Sequence, residues 1–412
     1  MTKNYFSLKF WAMIIALFAG FTFASCGKED EDEPDGGTPV GVLTELTSPI
    51  TENTTLKDLG LPIDYFFAGS DLYVENNATL TIEPGVTIQF TKNDGSGRMQ
   101  IYDGAAIKAI GMAEKHIQFV GGANKGSWLG IQIQTLNDNE FKYCDFVNGG
   151  GTNRGGTKKG AITTYDGGKV GISYCSISGS KTYGVMVADR NKDILSAFDH
   201  NTITACDENP IWVNYIAQAQ ILDNTSALAG NGKDYIEVSY ATSVADVTLS
   251  ETTVPYYIGN ISCTGKFTIN AGVTIYRAAD SYFTAADGSA KLLIKGTAEK
   301  PVLITRLPGT SEYWNEVRIY GTSGNSIEYC TFEYGGKGQY ESLLYLTGSQ
   351  ETELTLKNCI FRNSYNYGIE IAYWDRGYLR LTHENVTFAN NTKGNVYDWS
   401  ADHIYSSLNE LP

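Results

Sequence analysis

Apolar and polar residues alternate along most of this chain in short runs bounded by Gly, Asn and Asp turns. Ala161-Ile-Thr-Thr164, Tyr183 to Val187 and Gly368 to Ala372 are such runs, and a period of two predicts short strands. No stretch sustains a 3.6-residue apolar period, so long helices are not expected. A second pattern cuts across the alternation: apolar-x-x-(Cys or Asn)-x-apolar. It reads Phe141/Cys144/Phe146, Ile172/Cys175/Ile177, Phe198/Asn201/Ile203, Ile327/Cys330/Phe332 and Leu356/Cys359/Phe361. A step of three followed by a step of two slips the alternation by one residue. The slip predicts a bend between two strands, with apolar side chains inward on both sides of the corner.

Longer blocks repeat as well. Leu80 to Phe90 (LTIEPGVTIQF) matches Phe267 to Arg277 (FTINAGVTIYR) at 6 of 11 positions. Asn139 to Gly150 (NEFKYCDFVNGG) matches Asn325 to Gly336 (NSIEYCTFEYGG) at 6 of 12. Gly111-Met-Ala-Glu-Lys115 returns as Gly296-Thr-Ala-Glu-Lys300, and Tyr183-Gly184-Val185 as Tyr367-Gly368-Ile369. The offsets, 184 to 187 residues, keep the same order, so one unit is present twice. Inside it the bend motif returns every 26 to 31 residues. Such short repeats cannot bury their apolar faces singly; stacking buries them.

Composition adds exclusions. Of 412 residues 44 are Gly, and 42% are hydrophobic, enough for a large core. The formal charge is −15, without a basic stripe, which argues against nucleic acid as a partner. Lys3 and Lys9 precede a 14-residue apolar stretch from Phe10 to Phe23, too short to span a bilayer and suited to a leader. Phe23-Ala24-Ser25-Cys26 resembles the lipobox of bacterial lipoproteins, although Phe23 stands where Leu is commoner. The resemblance implies that Cys26 carries lipid, against plain secretion as the alternative. Cleavage before Cys26 takes the charge from −15 to −17. The run Lys28-Glu-Asp-Glu-Asp-Glu33 that follows repels itself and reads as an extended tether. It resembles the acidic export signal of surface lipoproteins in Bacteroidetes, which implies an outer-membrane anchor facing the exterior; a periplasmic spacer is the alternative.

Over residues 65–400 the repeats resemble the right-handed parallel β-helix of the pectate-lyase-like superfamily, and the quoted blocks resemble those of β-helix repeat lipoproteins in Bacteroidetes. The expected fold is an all-β solenoid of about a dozen coils, a rod of about 60 Å. The expected division is leader 1–25, lipidated tether 26–45, N-terminal cap 46–64, first unit 65–250, second unit 251–400 and tail 401–412. A monomer is expected. Cys144, Cys175, Cys330 and Cys359 fall on the inward position of the bend motif and read as buried thiols, with a Cys144–Cys175 bridge as the alternative.

Chemistry is sparse. No HExxH, GxSxG, P-loop or EF-hand pattern occurs, and no cofactor or metal is expected. The paired aspartates and Gly-His-Gly of polygalacturonase-like β-helices are missing, and His116, His200, His383 and His403 read as surface residues. Polysaccharide lyases of this fold need a carboxylate-neutralising cation or basic group and a base, for which Arg318, Glu370, Asp375 and Arg376 are candidates. Asp189-Arg190 matches Asp375-Arg376 between the units, which favours a repeated turn instead. Alternation places Val317, Ile319, Ile369 and Ile371 inward, and Arg318, Tyr320, Tyr345 and Glu370 outward on one sheet. With Tyr373, Trp374, Asp375 and Arg376 in a loop at its edge, these form the candidate glycan site. Its bland counterpart is a cross-strand ion pair among solvated β-formers. Three functions remain open: a surface protein that binds or handles polysaccharide, an adhesin or structural surface protein, and a polysaccharide lyase.

Overall fold

Strands make up the molecule because each coil offers several short alternating runs whose apolar half has no partner except the neighbouring coil. The computed structural model describes residues 41–92, 94–154, 159–190, 194–286, 289–348, 350–372 and 376–412. Cys26, with the leader and most of the tether, lies outside them, as do Tyr373, Trp374 and Asp375. The chain winds into a right-handed parallel β-helix of about 12 coils, 48% strand and 3% helix, as the repeats predict. Among the described residues no helix is long and apolar enough to cross a membrane.

Three sheets form the sides of the solenoid. In the first unit one sheet, here the platform sheet, stacks Asp71–Val74, Arg98–Ile101, Gly130–Ile133, Gly160–Thr164, Tyr183–Val187 and Ile211–Tyr215. A second stacks Thr54–Leu56, Thr79–Ile82, Ala106–Ile110, Asn139–Lys142, Lys169–Ser173 and Ile194–Asp199. The bend motif leads from this sheet into the third, where Cys144–Val147 pairs with Ser176–Ser178. The residues expected to cap the first coil supply Thr54–Leu56, and the end of the expected tether supplies Thr44–Glu45, each paired in parallel with the next coil.

The slip at the bend has a backbone cause. The residue before each motif Cys or Asn takes a left-handed conformation: Tyr143 (φ 50), Tyr174 (φ 56), His200 (φ 52), Tyr329 (φ 46) and Asn358 (φ 52). One such residue turns the corner and restores inward phase on the far side. The following cysteines point into the core, where Cys144, Cys175 and Cys359 donate to Ala109, Phe141 and Ile327 carbonyls of the previous coil at 3.3–3.4 Å. All six cysteines from Cys144 to Cys359 are buried and unbridged.

The repeated Gly-Gly pairs have a packing cause. Trp128 and Trp314 are buried at equivalent places, and each indole donates to a strand carbonyl at 2.9 Å, Val147 and Glu333 respectively. The second glycines, Gly150 and Gly336, have φ of 65 and 81. A Cβ on Gly335 would sit 2.4 Å from the Trp314 ring, so the ring needs the glycine above it.

The two units do not stack in simple continuation. Ile211–Tyr215, the last strand of the first platform sheet, pairs with the start of a nine-residue strand, Ile236–Val244. That start pairs onward with Tyr256–Ile258, whereas the end of the same strand pairs with Ile261–Cys263. The second unit's platform sheet runs from Ile261–Cys263 through Phe283–Ala286, Val317–Tyr320, Ser342–Thr347 and Tyr367–Ala372 to Gly394–Asp398. The first platform sheet therefore flows into a different side of the second unit. The repeat is rotated by one side at the joint.

Candidate functional site

The expected register is present. Arg318, Tyr345, Glu370 and Tyr397 stand in one outward row on four consecutive coils, and Tyr320 shares the next outward row with Thr347 and Ala372. Val317, Ile319, Ile369 and Ile371 fill the interior behind them. Strand alternation alone dictates this placement.

Access to the row differs from the solvated face that the alternation predicts. Tyr345 and Glu370 each retain only 4% of their exposure. Two rings from outside the row close over them. Tyr340 packs on Tyr345 with centroids 4.1 Å apart, and Arg318 lies 4.1 Å above the Tyr340 ring. Trp399, itself half exposed, donates its indole N–H to Glu370 Oε1 at 2.6 Å. The expected cross-strand ion pair does not form: Arg318 binds Glu316, just before its own strand, at 2.7 Å, and the Tyr345 rung separates it from Glu370. Adjacent strands pair more closely than the two-strand gap between these groups, which is about 10 Å.

The electrostatics follow from that closure. Glu370 Oε2 is buried and makes no hydrogen bond. Burial pushes its carboxyl pKa up, and the Trp399 bond offsets only part of the shift. Burial likewise raises Glu316, with Arg318 opposing. Tyr367 stacks on Tyr397 at 5.0 Å, Tyr397 donates to Asp402 at 3.0 Å, and Lys393 pairs with Glu341. The cations near Glu370 are thus engaged elsewhere. Among the described residues no group of three His, Cys, Asp or Glu side chains is placed to hold a metal ion.

Tyr373, Trp374 and Asp375 lie outside the described residues. Arg376 opens a short 3-10 turn, Arg376–Tyr378. In the first unit Arg190, counterpart of Arg376, lies 3.3 Å over the Tyr240 ring, a packing role for that turn. Tyr340, Trp399 and Glu316 were not legible as site residues, because loops and a strand end bring them in. Compared with protein-family models, with curated proteins and with solved structures, the chain matches none.

Proposed function

We propose that the protein is a lipid-anchored cell-surface β-helix that binds polysaccharide without cleaving it. The observation that carries the binding role is the pair of accessible rings at the end of the Tyr345–Glu370–Tyr397 row. Trp399, half exposed, and Tyr397, half-buried, offer faces for apolar sugar surfaces, while the closed-over Tyr345 and Glu370 hold them in place. Exposed rings are also more numerous in the second unit. Among the described residues Tyr320, Tyr365, Tyr378 and Trp399 of the second unit are exposed, against Tyr174 of the first. An adhesin would spread them along the rod. Elimination chemistry needs the charge-neutralising group and the base on one sugar, and the Tyr345 rung between Arg318 and Glu370 disfavours that.

The address rests on the leader, Cys26 and the acidic run after it. Cys26→Ala should release the protein from the membrane fraction, and equal retention of both forms would contradict the anchor. Trp399→Ala with Tyr397→Ala should abolish retention on a glycan matrix in a chain that still folds by circular dichroism, with a lowered melting temperature because Glu370 loses its donor. Unchanged retention would move the reading to an adhesin.

A further inference from the structure

The rotated joint carries a second constellation of the same kind. Glu237 stands in register between Trp212 and Tyr257, and Tyr276 continues the row on the next coil. Tyr183 stands beside Trp212 with centroids 6.2 Å apart, and Tyr235 packs on Tyr257 at 5.0 Å. All six side chains are half-buried, so ring faces and carboxylate remain reachable. Burial pushes the Glu237 carboxyl up, with Lys233 and Trp212 opposing. Lys233 itself is held by Glu208 at 2.6 Å, and among the described residues Glu237 has no ion pair.

Duplication does not account for this likeness. Tyr183 and Tyr367 are equivalent, so register makes Met186 equivalent to Glu370 and Trp212 to Tyr397. The carboxylate therefore occupies a different place in each unit: Glu237 lies one coil beyond the row position that corresponds to Tyr397. Features that the scaffold requires, such as Trp128 and Trp314, recur in place. A carboxylate framed by rings, with the neighbouring lysine tied to another glutamate, arises twice at non-equivalent positions. That points to a shared ligand, not a shared folding requirement.

We infer that Trp212, Glu237, Tyr257 and Tyr276 form a second carbohydrate platform, and that both platforms take an uncharged glycan. The inference rests on the glycan reading above. A carboxylate accepts neighbouring pyranose hydroxyls while a ring covers the C–H face. A uronate would set a second carboxylate against Glu237 or Glu370, neither of which has a cation to share. The net charge of −15 adds repulsion at longer range. Glu237 and Glu370 lie on different sides of the rod, five coils apart, or about 24 Å. One straight chain lying along a single sheet does not cover both, so the two platforms engage two chains or two branches.

Affinity electrophoresis of the full chain tests this, with gels containing dextran, xyloglucan, galactomannan or polygalacturonate. At least one neutral polymer should retard the protein. Trp212→Ala with Tyr257→Ala should weaken that retardation about tenfold, independently of the Trp399→Ala and Tyr397→Ala pair. Glu237→Lys keeps the rings and should trade neutral binding for polygalacturonate binding, which covers the case of an unstable ring variant. Full retention by the joint variants, with loss in the Trp399 pair, overturns the second platform and leaves the first. Retardation of the wild type by polygalacturonate alone overturns the uncharged class. No retardation by any polymer overturns both platforms.

Discussion

The two platforms share parts and differ in access. At Glu370 the loop carrying Tyr340 and the strand end carrying Trp399 fold over the row, leaving Tyr345 and Glu370 at 4% exposure. At Glu237 the nine-residue strand Ile236–Val244 runs across the corner, and the rings around the carboxylate stay half-buried. The scaffold thus decides which residues share a row, whereas the segments between strands decide whether a ligand reaches them. The joint is the more open site, and the second-unit row the more enclosed.

That contrast can be broken at several strengths. Positions that serve the scaffold should behave alike in both units: Trp128→Ala and Trp314→Ala should each cost about 3–5 kcal/mol in denaturant unfolding, since each empties a buried indole site. Markedly unequal costs would show that the units are not equivalent scaffolds. Platform positions should differ. Tyr345→Ala removes a buried ring and should cost about 2–3 kcal/mol, whereas Tyr257→Ala at the open joint should cost about 1 kcal/mol. Equal losses would contradict the difference in closure.

The thiol ladder belongs to the scaffold. Cys175→Ser keeps a donor beside the Phe141 carbonyl, with a shorter reach than the thiol, and should cost about 1 kcal/mol. Thiol titration should find no reactive group among Cys144, Cys175, Cys330 and Cys359 in the native protein and all four on denaturation. The smallest effect is the pH dependence. Burial raises Glu370, so the folded chain holds that proton more tightly than the unfolded chain. The resulting penalty is absent below the unfolded pKa, about 4.3, and grows as pH rises through the folded value. Glu370→Gln should therefore raise the melting temperature at pH 7 and lose that advantage at pH 4. Glu237→Gln should show the same trend more weakly, because Glu237 is less buried.

The fold and the row were legible because both are periodic. Bend motifs returning every 26 to 31 residues reported the coils, and alternation alone put Arg318, Tyr345 and Glu370 on one side of their sheet. Closure was not legible, since Tyr340 and Trp399 arrive from segments without a period. The Arg318 partner was misjudged for a related reason: Glu316, two residues earlier on the same face, reaches the guanidinium before any neighbouring strand does. The joint escaped because a one-side rotation at Ile236–Val244 is a tertiary event. Its signal was still present, as Trp212, Glu237, Tyr257 and Tyr276 all fall at outward parity in strand-like runs.

The most direct measurement is a crystal structure of the protein soaked with an oligosaccharide of whichever neutral polymer retards it. Sugar rings should lie on Trp399 and Tyr397 beside Glu370, and on Trp212 and Tyr257 with hydroxyls at Glu237. Sugar found instead in the 550 Å³ cavity lined by Lys92, Lys125, Asn153 and Lys181, with both platforms bare, would contradict the account.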